Sequence, residues 1–127
     1  MLERITCENA PKAVGSYSIG TSVDNLIFLS GQLPVNPTSG KIESDDITVQ
    51  TEQSLNNIKE ILSSNQSSMD HILKTTVFLD SINDFSAFDE VYRKYFLNGY
   101  PARSAFEVGK LPMGSKVEIE VVAIKNI

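Results

Sequence analysis

KVEIEVVAI, running from Lys116 to Ile124, changes pattern halfway along. Glu118 and Glu120 alternate with Val117, Ile119 and Val121, the period of a strand with one apolar and one polar side. From Val121 onward, Val122, Ala123 and Ile124 leave no polar side at all. Successive side chains point to opposite faces of a strand, so these four cannot share one cover. Ile72 to Leu79, rich in β-branched and aromatic residues, reads as a second strand with apolar residues toward both faces.

Outward from these strands, the chain supplies two helices. Asp45, Asp46 or Thr48 can cap the first, which runs to about Leu62 with Leu55, Ile58, Ile61 and Leu62 in one buried stripe. Gln50, Glu52, Gln53, Asn57 and Lys59 form its expected solvent face. Asp84 is positioned to cap a second helix, in which Phe85, Phe88, Val91, Tyr92, Tyr95 and Phe96 recur every three or four residues before Pro101 prevents continuation. Tyr17 to Val23 and Leu26 to Ser30 form a hairpin around Asp24-Asn25, and residues 2 to 7 an edge strand. Gly31 to Gly40 reads as a surface loop, and Arg103 to Val108 as the strand preceding the last. Two helices cover one face of such a mixed sheet, giving an α+β sandwich in a single domain, residues 1–127. The other face is left for further copies of the chain, so an oligomer is expected.

Sixteen acidic against eleven basic residues give a net charge of -5, and no basic cluster exceeds Arg93-Lys94. Nucleic acid and anionic membranes are therefore disfavoured as partners. Cys7 is the only cysteine and His71 the only histidine, which excludes an intrachain disulfide and a cysteine-rich zinc site. A reducing cytoplasm is the expected location, with no signal-peptide or membrane-spanning run in view. The GxSxG, P-loop and GxGxxG anchors of hydrolases, NTPases and dinucleotide enzymes are missing.

Two positions carry candidate chemistry. Arg103 opens a strand beside small residues, which would leave its planar guanidinium accessible for a carboxylate; taken alone, an arginine at a strand start is more often a solvated rim charge. Glu118 and Glu120 share one strand face, and a half-buried carboxylate there would handle protons near neutral pH, whereas a solvated pair would not.

At these residues the chain resembles the RidA (YjgF-like) family of reactive-intermediate deaminases. The resemblance rests on AVGSYSIG, FLSGQLPVNPTSG, QTEQSLNNIKEIL, KTTVFLDSINDFSAFDEVYRKYF and YPARSAFEVGKLPMGSKVEIEVVAI, in that order over nearly the whole length. It implies a chorismate-mutase-like α+β fold, a mixed six-stranded sheet with two helices packed on one face, assembled as a homotrimer with ligand clefts between subunits. It further implies hydrolysis of 2-iminobutanoate and 2-iminopropanoate to a 2-keto acid and ammonia, with no metal or cofactor. By motif, Arg103 in PARS would bind the substrate carboxylate and Glu118 in VEIE would position water, with Tyr17, Ser30, Gly31 and the backbone of Ala105 lining the site. Ala105 stands where many members have cysteine, and Asp89 where asparagine is frequent. An Asp89 carboxylate facing the cleft would repel an anionic substrate. A non-catalytic ligand-sensing trimer using the same cleft is the alternative these departures leave open.

Overall fold

The computed structural model describes residues 1–126. Along the chain lie β1 (Glu3–Ile5), β2 (Gly20–Val23), β3 (Leu26–Gln32), α1 (Ile47–Ser63), β4 (Ile72–Leu79), α2 (Phe85–Tyr92), β5 (Ala102–Glu107) and β6 (Val117–Ile124). The strands form one sheet in the order β1-β2-β3-β6-β4-β5. Among the described residues only β4 and β5, joined through α2, run parallel. The mixed six-stranded sheet and its two helices are those expected.

The hairpin turn is tight, with Val23 facing Leu26 and Asp24 at φ 53°, a left-handed angle that aspartate tolerates better than most residues. Asp46 accepts from the Val49 N–H and so caps α1. Leu55, Ile58, Ile61 and Leu62 of α1 are fully buried with Val117, Ile119, Val121 and Ala123 of β6. Burying each such side chain contributes about 1.5–3 kcal/mol before entropy is counted. In β6 the intervening Glu118, Glu120, Val122 and Ile124 point to the other face, which no helix covers.

Several expectations are corrected. The second helix ends at Tyr92 and tightens into a 3-10 turn over Arg93–Tyr95, although Phe96 remains buried. Asp84 makes no side-chain cap; Ser81 instead accepts from the Asn83 N–H one turn earlier. The hairpin's first strand begins at Gly20, leaving Tyr17 in the irregular segment before it, and Gly31 and Gln32 extend β3 into what reads as loop.

Gln50 and Asn57 do not face solvent, being 3% and 1% exposed. The Asn57 amide donates to the Leu33 and Val35 carbonyls. Gln50 donates to Ser44 O and accepts from the Lys116 N–H. A polar side chain on α1 is buried where it satisfies backbone groups of loops that have no ladder partner.

Candidate functional site

Arg103 sits on β5, an edge strand, in register with Thr75 of β4. Thr75 is fully buried beneath α2, where its hydroxyl is 2.7 Å from that of Tyr92. The same register turns Arg103 toward the helix side of the sheet. Its guanidinium lies 4.8 Å from the Tyr92 ring centre and 5.1 Å from that of Phe85. One guanidinium nitrogen donates to Asp89 Oδ1 at 2.6 Å.

The guanidinium is thus partly covered, its side chain 26% exposed. Its sequence neighbours are small, but α2 supplies aromatic walls from eleven and eighteen residues away in the chain. Phe85 and Tyr92 are two helical turns apart and share one side of α2; nothing in that spacing distinguishes core from cation platform.

This guanidinium opens onto a depression of about 370 Å³ lined by Asp89, Tyr92, Arg93, Tyr100, Pro101 and Arg103. Asp89 does face it, and its second oxygen lies 3.8 Å from Arg93. Burial pushes the Tyr92 phenol above its ordinary value, so it stays neutral beside these charges.

Glu118 lies on the opposite face. It is in register with Phe78 of β4, whose ring meets Phe106 of β5 edge to face at 5.5 Å. Its carboxylate packs on the backbone of Gly31: a Cβ there would stand 2.8 Å from Glu118 Cδ, closer than real side chains approach. Gly31 thus leaves room for the present position of the Glu118 carboxylate, and its φ is not in the left-handed region. Burial, and then the like charge of Glu120, raise the Glu118 pKa above the ordinary carboxylate value.

Ser30 precedes this contact, its hydroxyl donating to Ser18 O at 2.7 Å. Tyr17 is half exposed and its hydroxyl accepts from the Val14 N–H. Ala105, in register with buried Val77, packs its methyl against the core on the helix side.

The candidates thus fall into two groups. Arg103, with Asp89 and Ala105, occupies the helix side at the β5 edge; Glu118, with Gly31, occupies the bare face at β3 and β6. Sheet geometry keeps Arg103 and Glu118 of one chain apart.

The family model described as Endoribonuclease L-PSP matches residues 7–125. The chain belongs to that family, the YjgF/RidA family. A RutC family protein of Pyrococcus horikoshii is 45% identical over 99% of this chain and all of its own length. The human 2-iminobutanoate/2-iminopropanoate deaminase is 42% identical, over 96% of this chain and 89% of that protein. Among solved structures, Escherichia coli TdcF with bound serine superposes with a TM-score of 0.92 at 37% identity, covering 98% of this chain and 99% of that one. The family description and the relatives' names differ in activity, and the net charge of -5 gives no support to the ribonuclease reading.

Proposed function

We propose that the protein hydrolyses small 2-imino acids to 2-keto acids and ammonia, in clefts completed by neighbouring copies in a cytoplasmic homotrimer. The observation that carries this reading is the Arg103 guanidinium, clamped between two aromatic rings at the rim of an open depression on an edge strand. Clamping removes the entropy that a free arginine would lose on binding, and the fixed fork suits a carboxylate. The human relative's name and the serine held by TdcF support a ligand of this kind, a small carboxylate bearing an α-nitrogen.

Water adds to the C=N carbon, and the tetrahedral adduct collapses as its hydroxyl gives its proton to solvent and the carbon–nitrogen bond breaks, releasing ammonia and the 2-keto acid. Arg103 fixes the carboxylate and so orients the adjacent carbon. Glu118 of another copy orients the water, takes its proton and returns it to the leaving nitrogen, a role suited to a carboxylate whose pKa burial has raised. Gly31 lets the Glu118 carboxylate lie close to the backbone beside Ser30, while Tyr17 and the Ala105 backbone line the cleft. The protonated imine is electrophilic enough that these steps use no metal or cofactor.

The test is a coupled assay in which threonine dehydratase generates the imine and semicarbazide traps it. Added protein lowers the trapped product, and Arg103→Ala abolishes the effect. Imine removal by Arg103→Ala at the parent rate overturns the mechanism. The departures at Ala105 and Asp89 leave a second reading, ligand sensing in the same cleft, which tight small-ligand binding without faster imine loss would establish.

A further inference from the structure

Asp89 and Arg103 are bonded to each other at 2.6 Å, and both open onto the same depression. Each is only about one-third exposed or less. A ligand bearing a carboxylate alone must displace Asp89 from the guanidinium or bind beside its negative charge. A ligand with a carboxylate and an adjacent cationic nitrogen meets no such conflict, because Arg103 takes the first and Asp89 the second while the pair stays intact. Arg93 also faces Asp89, but at 3.8 Å and with 59% of its side chain exposed its charge is screened by water.

We infer that Asp89 is a specificity determinant that selects ligands carrying a cationic α-nitrogen over the corresponding 2-keto acids. The inference rests on the reading of Arg103 as the carboxylate anchor. Its consequence for turnover is directional. The protonated imine is a zwitterion at its carboxylate and nitrogen, whereas the keto-acid product is a simple anion, so the same aspartate that holds the substrate weakens the hold on the product. Charge complementarity is here opposed by a built-in repulsion against the wrong form, the usual way a site discriminates ligands of equal size.

Alanine and pyruvate share a three-carbon skeleton and differ at the selecting atom, so they serve as probes. Their dissociation constants are measured by calorimetry for the parent protein, Asp89→Asn and Arg103→Ala. The expected result is a fall of about tenfold in the alanine-to-pyruvate affinity ratio in Asp89→Asn, from weaker alanine and tighter pyruvate binding together. Asparagine still accepts a bond from Arg103, so the guanidinium keeps its place and a structural role would not move the ratio. An unchanged ratio, with both ligands tightened equally, overturns the inference and leaves Asp89 a mere counter-ion. Parent-like binding of both ligands by Arg103→Ala is a different failure, since it removes the anchor on which the proposed function stands.

Discussion

The two faces of the sheet are made by the same strands and have opposite fates. Beneath the helices, β6 presents Val117, Ile119, Val121 and Ala123, none more than 2% exposed. One residue along, it presents Glu118, Glu120, Val122 and Ile124, beside Leu26 and Phe28 of β3, with Phe28 still 44% exposed. The difference teaches that apolar content alone does not define a core: the first face is closed within the chain, and the second keeps apolar side chains that no described element covers.

The sharpest way to break this comparison is to hollow the closed face. Ile119→Ala costs about 2–5 kcal/mol in urea denaturation, because rigid neighbours from α1 and β3 cannot collapse into the gap. A cost under about 1 kcal/mol would mean that the covered face is no better packed than the bare one. Next comes Asn57→Ala, which strands the Val35 carbonyl in the interior, while the Leu33 carbonyl keeps the Val35 N–H, and costs about 1–3 kcal/mol by the same measurement.

Phe28→Ser probes the bare face. In the isolated chain it changes stability by less than about 1 kcal/mol, yet it shifts the assembly toward monomer in sedimentation velocity. An unaltered sedimentation coefficient would show that this face is not an interface. Gly31→Ala is expected to be milder still in stability, because the atoms it meets are the end of the flexible Glu118 side chain. It should nonetheless remove most imine turnover by displacing that carboxylate, and full activity would detach Glu118 from the chemistry.

The smallest effect is a pH dependence. Because Glu118 has a raised pKa, the folded state holds its proton more tightly than the unfolded chain does. That contribution to stability is fully present below the ordinary value of 4.5 and is lost as pH rises through the raised folded value. Glu118→Gln flattens this part of the curve of melting temperature against pH; an unchanged slope would mean that the carboxylate is solvated.

Much of the fold was legible because periodicity reports faces. The α1 stripe, the two-residue hairpin turn and the β4 strand follow from local spacing and turn chemistry, which act within a few residues. Gln50 and Asn57 escape local rules for the same reason: their polarity suits solvent, and only the loops folded over α1 make burial favourable. Of the candidate site, the chemical identity of Arg103 and Glu118 was visible, while their surroundings were not. Phe85 and Tyr92 form the clamp on Arg103 only when α2 is laid against the edge of β5.

By itself, the sequence determined the strands and helices, the apolar excess on β6, the family, and the carboxylate and guanidinium available for chemistry. Only the tertiary structure decided that Arg103 and Glu118 of one chain stand on opposite faces, that Asp89 holds Arg103, and that Gly31 makes room for Glu118. Side-chain direction along a strand is a local rule, but what a side chain meets depends on which distant strands and helices lie beside it, and that is set by the register of the whole sheet.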